Sequence, residues 1–333
     1  MTNAALSPQS TPESPPGDPL RPIESSKSAK LFIISRRCGR LGNRLTLFAN
    51  FVALAAQEGH RVMDFAFHSY ASVLETTRRD IYCRYPVARY RSWLDAIPGL
   101  AATIRATRLF YRLVQPIRVL NERRPLCGDR LLTLREIPGA AITDLEGLEV
   151  HRRIQPARVV FVHGWNFRAP NYLRRQARAV RDYFRPAAEY ELASRKAVEP
   201  LREQAEIVVG VHIRHGDYRV WRGGKYFFPV SRYAAWMAEF AARFPGRKVG
   251  FLVCSDGPRQ TQEFPGLSVS LGAGSSVGDL YALARCDYIF GPVSSFSQWA
   301  SYYGDVPLLQ VADSQDRLDP ERFRICYLDE IPC

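Results

Sequence analysis

The 333 residues contain no run that approaches the roughly 18 consecutive apolar residues needed to span a membrane. The N-terminus also lacks the charged segment and apolar core of a secretory signal, so any membrane contact is expected from the surface. The seven cysteines, Cys38, Cys83, Cys127, Cys254, Cys286, Cys326 and Cys333, form no CxxC pair and no zinc spacing. Their odd number, with several inside apolar runs, reads as reduced and mostly buried thiols in a reducing, cytoplasmic compartment. Neither GxGxxG nor GxxxxGK[ST] occurs, which sets aside a Walker-type or GxGxxG dinucleotide site. No repeat of solenoid period is visible. Lysine is scarce: only Lys27, Lys30, Lys196, Lys225 and Lys248 are present.

The net charge of +13 is therefore carried by arginine. Such a balance favours anionic partners, although a genomic bias towards arginine would produce it too. Nucleic acid is the least supported of these partners, because no zinc motif, RNP aromatic signature or continuous basic helix accompanies the charge. The remaining composition, 46% hydrophobic and 24% charged, is that of a soluble globular protein, and the length suggests two domains.

Residues 1–29 are rich in Ser and Pro and cannot bury enough apolar surface to offset ordering, which predicts a disordered tail. From Leu31 the pattern changes. Leu31–Ile34 reads as a strand, Gly39 to Asn43 as a glycine-punctuated loop, and Leu45, Phe48, Val52 and Ala56 recur at helical spacing up to a stop at Gly59. Arg61 to Phe67 returns to strand character, and Val159 to Trp165 is another strand-to-loop segment. Between them, Ala101 to Arg124 carries Arg105, Arg108, Arg112, Arg118, Arg123 and Arg124 among apolar residues, with Pro116 expected to interrupt any single helix. This basic amphipathic stretch suits either an anionic membrane surface or a core-facing helix with a solvated arginine face. Tyr172 to Arg202 reads as helices broken near Pro186. Residues 207–214, 249–255, 288–290 and 308–311 then read as strands, alternating with helices at 230–244, 278–285 and 296–303.

The fold class is therefore α/β, with two doubly wound, Rossmann-like domains facing a cleft. The expected division is a tail over 1–29, an N-terminal acceptor domain over 30–200, a donor domain over 201–315 and a C-terminal extension over 316–333.

Ligands in such sheets sit beyond the carboxyl ends of the strands, and chemistry-bearing residues cluster there. The β-branched run Val208–Val211 leads into His212-Ile213-Arg214-His215-Gly216-Asp217-Tyr218. An arginine offers a planar fork of donors suited to a phosphate or diphosphate. Continued strand alternation would put His212, Arg214 and Gly216 on one side, with His215 and Asp217 on the other. The bland reading of this cluster is a surface Arg–Asp ion pair. Ser255-Asp256-Gly257 is a turn at a second strand end. Asp279 follows the small-residue stretch Gly272 to Ser276, where it would cap a helix or accept from the amino groups of a guanine. Ser294-Ser295-Phe296-Ser297 offers hydroxyls and free N–H groups at a helix start, which suits a phosphate as well as simple capping. Gly39-Arg40-Leu41-Gly42-Asn43-Arg44 opens a helix in the first half in the same way, and its glycines allow close approach of a ligand.

Taken in order, these motifs resemble the GDP-fucose-dependent fucosyltransferases, and most closely their alpha-1,2 family. His212 to Tyr218 resembles that family's H-x-R-R-G-D-Y, and Gly39 to Asn43 its G-x-L-G-N loop. Ser255-Asp256 falls at its S-D, and Asp279 to Trp299 resembles its closing segment ending in S-x-F-S-x-W. The resemblance covers about residues 31 to 310 and implies a GT-B architecture with the donor held mainly by the C-terminal domain. It implies inverting transfer of fucose from GDP-fucose to a glycan hydroxyl, with no cofactor or essential metal. Arg214 would neutralise the departing diphosphate, Asp279 would read guanine, and Ser295, Phe296 and Ser297 would lie at the donor. Gly42 and Asn43 would reach the site from the other domain, His212 would brace the loop or touch the nucleotide, and His215 and Asp256 would border the donor. Asp217 is the first candidate for general base, with a loose mechanism that needs little base as the fallback.

His215 stands where the family has its second arginine, so donor affinity is expected to depend on pH between about 6 and 8 if this imidazole titrates in the site. The implied product is a surface polysaccharide or O-antigen, built on the cytoplasmic side with peripheral membrane contact. The alternatives are a transferase for another GDP-sugar and a fold that binds GDP without catalysis.

Overall fold

A computed structural model describes residues 29–87, 100–124 and 126–329. Apart from its last residue, the tail expected over 1–29 lies outside the described residues.

The first half is built on a five-stranded sheet. Its strands are β1 (Leu31–Ile34), β2 (Arg61–Asp64), β3 (Arg84–Tyr85), β4 (Leu131–Arg135) and, after the short β5 (Thr143–Asp144), β6 (Val159–His163). They lie in the order β3-β2-β1-β6-β4 and all pair in parallel except β3. β5 pairs separately with β7 (Phe167–Arg168). The second half holds β8 (Ile207–Ile213), β9 (Val249–Ser255), β10 (Ser268–Leu271), β11 (Tyr288–Pro292) and β12 (Leu308–Val311) in the order β10-β9-β8-β11-β12, all parallel. In each half the chain order reverses beside the first strand, between β1 and β6 and between β8 and β11. These are the two switch points at which open α/β sheets bind ligands.

Sequence explains the centre of each sheet. All seven residues of β8 are buried, as expected of a β-branched run covered on both faces. The helix α1 (Leu41–Glu58) buries almost its whole length from Leu41 to Ala55, and it ends at Gly59, whose φ of 72° is a left-handed cap that side chains disfavour. The remaining helices are α2 (Leu100–Arg123), α3 (Leu148–Ile154), α4 (Pro170–Arg175), α5 (Ala177–Tyr183), α6 (Ala188–Arg202), α7 (Val230–Ala241), α8 (Ser276–Leu283) and α9 (Ser295–Gly304). The break expected near Pro186 falls between α5 and α6, and α6 packs on the second sheet and on α8.

Two local expectations need correction. Arg61 to Phe67 is a strand only as far as Asp64. Asp64 then accepts a hydrogen bond from the Phe67 N–H and turns the chain into a 3-10 helix. Pro116 does not interrupt α2, which runs unbroken through it. Pro116 and Arg112, the residue whose carbonyl loses its helical partner, are both exposed, a place on the helix where the lost bond costs least.

The halves share one apolar core through α1 and α9. Phe184 meets Trp299 edge-on at 5.0 Å, while the Tyr281 and Tyr302 hydroxyls donate to the carbonyls of Phe184 and Leu173. Gly42 permits the approach. A Cβ there would lie 2.8 Å from the Phe296 nitrogen and the Ser295 carbonyl carbon, so any side chain would push α1 off α9.

Candidate active site

The two switch points open onto one cavity of about 1070 Å³. Gly39 to Asn43, after β1, and Trp165, after β6, line it from the first half with Tyr70. His212, Arg214 and Asp217 line it at the end of β8 and beyond, Ser255 and Asp256 at the end of β9, and Ser294 to Phe296 after β11, with Ser275, Ser276 and Asp279 at the start of α8. Most of the residues singled out from sequence therefore meet in one place. His215 and Ser297 do not line the cavity.

Arg214 is the charged centre. Its Nε and Nη2 donate to the two carboxylate oxygens of Asp217, each at 3.0 Å, leaving Nη1 without a partner among the described residues. The pair exists because strand alternation stops at Ile213 and Asp217 opens a 3-10 turn, so the expected placement on opposite sides does not hold. The side chain is 16% exposed, and its guanidinium lies over the Tyr218 ring at 4.8 Å. Burial works against its charge, but the Asp217 hydrogen bonds more than compensate and raise its pKa. In return Arg214, and then Arg40 at 3.7 Å from across the cleft, hold the Asp217 carboxyl below its ordinary value. Asp217 is thus a fixed anion and a weak base.

The loop is braced from below. The Asp256 carboxylate accepts from the N–H groups of His215, at 2.8 Å, and Gly216, at 3.1 Å. The Tyr218 hydroxyl donates to the Val293 carbonyl at 2.6 Å, tying the end of β8 to that of β11. His212 is buried and stacks beside Phe296 at 5.0 Å. Burial, then the neighbouring Arg214, pushes its pKa down to about 3, so its ring is neutral, and its buried Nδ1 has no partner among the described residues. His215 takes another course. Its ring packs on Phe227 at 4.5 Å and its Nε2 donates to the Phe228 carbonyl at 2.7 Å. Burial lowers its pKa, which favours the neutral ring over the imidazolium.

Three helix N-termini point at the cavity. Ser294 and Ser275 cap α9 and α8 through the N–H groups of Phe296 and Gly278, whereas α1 begins at Arg40 with no side-chain cap and no acidic residue in its first turn. Ser297 donates to the Ser294 carbonyl inside the protein and reinforces the α9 cap. Uncapped N–H groups at a helix start attract anions. Asp279 accepts from the Ala273 N–H at 2.6 Å, and burial raises its pKa to about 6. Among the described residues no three His, Cys, Asp or Glu side chains are grouped to hold a metal ion.

Sequence reasoning passed over Arg40, Trp165 and Tyr70. Trp165 sits at a strand end, a signal that was available. Its backbone N–H and that of Asn166 donate to Glu136, while the buried Arg168 donates to its carbonyl and lies 5.7 Å from its ring centroid, so the backbone that carries the indole is fixed at the cleft. Tyr70 enters from a 3-10 segment with no periodic pattern, and the Arg44 guanidinium lies 5.0 Å from its ring centroid.

Two open sheets, parallel but for the edge strand β3, with a ligand-sized cavity across both switch points define the GT-B-like class. A profile of glycosyl transferase family 11 matches residues 149–316, half of the chain, and the protein belongs to that family. Nodulation protein Z of Azorhizobium caulinodans is 30% identical over a match covering 28% of this chain and 38% of that protein, so the chain spans well under half of this curated relative. The structure of Arabidopsis thaliana FUT1 in complex with GDP is similar over 90% of this chain and 75% of that one, at 11% identity and a TM-score of 0.53. That of the fucosyltransferase NodZ from Bradyrhizobium is similar over 85% of this chain and 96% of that one, at 16% identity and a TM-score of 0.46.

Proposed function

We propose that the protein transfers L-fucose from GDP-fucose to a glycan hydroxyl with inversion, the diphosphate lying between Arg214 and the N-termini of α1 and α9. The observation that carries this reading is the meeting of the Arg214 fork, Arg40 and the uncapped start of α1 in one cavity. Family membership narrows the class to glycosyl transfer, and the ordered motifs favour fucose as the sugar and an alpha-1,2 linkage. In the step itself the acceptor oxygen bonds to C1 of fucose while the C1–O bond to the diphosphate breaks. The electron pair leaves with GDP, and Arg214 stabilises the growing charge.

Asp217, Arg-paired and therefore weakly basic, suits a loose transition state in which the acceptor proton passes late, to its carboxylate or to solvent. Arginines and helix N-termini supply the positive charge that a divalent ion would otherwise bring, and a chelator is expected to leave turnover intact. Trp165 and Tyr70, opposite the donor side, would receive the acceptor sugar.

Calorimetric titration of GDP-fucose and GDP into the wild type and Arg214→Ala, without metal, tests the reading. Micromolar binding lost in a folded variant supports it, and no binding by the wild type overturns it. Consumption of a different GDP-sugar would reassign the donor, and binding without turnover of any acceptor would leave a GDP-binding protein. The linkage is read from the product by NMR.

A further inference from the structure

We propose that the outward face of α2 docks on an anionic lipid surface. Among the described residues, five of the twelve exposed large hydrophobic side chains lie on this one helix. Leu109, Leu113, Ile117 and Leu120 are 55%, 51%, 45% and 50% exposed. At 3.6 residues per turn they share an arc of about 80°. Arg105, Arg112 and Arg123 border that stripe on one side, Arg124 continues it just past the helix end, Arg108 lies further round, and all five are exposed. None has an ion-pair partner among the described residues. The only carboxylate within α2, Glu122, is turned away and pairs with Arg118 and Arg135.

The opposite face of the helix is firmly fixed. Phe110 stacks on Phe65 at 5.7 Å, Tyr111 meets His68 at 5.4 Å, and Asn121 donates to the Leu131 carbonyl at 3.0 Å. The exposed stripe is therefore not a core face awaiting its own domain. An apolar stripe flanked by arginines, with no acid between, matches the boundary between anionic headgroups and acyl chains. A second copy of the same face would bring five arginines against five, which disfavours self-association, and a nucleic acid offers nothing apolar for the leucines. The residues that α2 grips lead to the cleft: Arg37 lies over Tyr111, while Tyr70 and Arg40, a few positions from His68 and Arg37, line the cavity. Docking in this pose would hold the site beside the bilayer, where a lipid-carried acceptor is found. That last consequence rests on the proposed transfer reaction, whereas the docking itself does not.

The test is co-sedimentation of the full chain with phosphatidylcholine vesicles prepared with and without phosphatidylglycerol, with no nucleotide present, so failure of the donor assignment cannot affect it. Binding is expected only with the anionic lipid and should weaken as salt rises. Each arginine near such a surface is worth about a fivefold change in affinity, so R105Q/R112Q/R123Q should lose about a hundredfold. L109E/L113E/L120E should abolish binding while keeping the wild-type circular dichroism spectrum and Tm, since the replaced side chains are exposed. Equal binding to neutral vesicles, no binding, or wild-type binding by the folded leucine variant would overturn the proposal. So would a dimer that the leucine variant dissolves, or tighter binding to an oligonucleotide than to the anionic vesicles.

Discussion

The crevices of the two sheets occupy equivalent positions and carry different chemistry. Beyond β8 and β11 the polar groups are held by one another: Arg214 by Asp217, the His215 and Gly216 N–H groups by Asp256, and the α9 start by Ser294. Beyond β1 and β6 the lining is Gly42, Asn43, Tyr70 and Trp165, a surface of shape and stacking with a single guanidinium, Arg40, reaching across. A diphosphate needs fixed charge that does not reorganise as the bond breaks. A sugar face asks only for a flat ring at the right height. The first requirement restricts residue types tightly and leaves a motif in the chain, whereas the second is met by any well-placed aromatic.

Four measurements would break or sharpen that contrast. Arg214→Ala should have the largest effect. Loss of a charge-assisted contact worth about 1.5–3 kcal/mol lowers GDP-fucose affinity roughly tenfold to a hundredfold, and acceptor binding measured separately should not move. The second is a pH series. Burial raises the Asp279 pKa to about 6, and accepting from the two guanine N–H groups requires its ionised form. GDP-fucose affinity should hold above about pH 6 and fall about tenfold for each unit below it, since binding takes up only the deprotonated state. Asp279→Asn should bind more weakly and lose that slope. A wild-type affinity that stays flat from pH 7 to 5 would remove Asp279 from the guanine site.

Trp165→Ala comes third. Loss of an aromatic platform worth about 0.5–1.5 kcal/mol should raise the acceptor KM several-fold, with donor affinity unchanged in calorimetry. A donor effect would show that the two crevices do not divide the substrates. The smallest change is expected from His215→Gln. The ring lies outside the cavity and burial lowers its pKa, so donor affinity should be the same for variant and wild type between pH 6 and 8. Only a modest fall in Tm is expected, from the lost bond to Phe228.

Much of this was legible in the chain. The strands over 249–255 and 308–311 fall where periodicity puts them, as does the helix stop at Gly59, because buried parallel strands and left-handed caps constrain residue type locally. His212, Arg214, Asp217, Asp279 and Ser295 also do meet in one cavity. The misreadings share a cause. Alternation was carried past the end of β8, where an Arg–Asp hydrogen bond and a 3-10 turn take over from the strand. Pro116 removes a helical bond by its type alone, but whether the helix tolerates it depends on packing, and Arg112 and Pro116 both lie on the exposed side.

What the sequence determined by itself is the α/β alternation and the set of chemical groups at the strand ends, since both follow from short-range pattern and residue type. Three things were decided only by the tertiary structure. His215 turns away from the cleft, because the groups that hold it, Phe227, Phe228 and Arg259, come from elsewhere in the chain. Trp165 and Tyr70 enter the site, because the first sheet sets its crevice against the second. The leucine stripe of α2 stays outside, because one face of that helix satisfies the core and nothing among the described residues covers the other. Hydrophobic spacing is the same for a buried leucine and an exposed one, and only the packing of distant segments tells them apart.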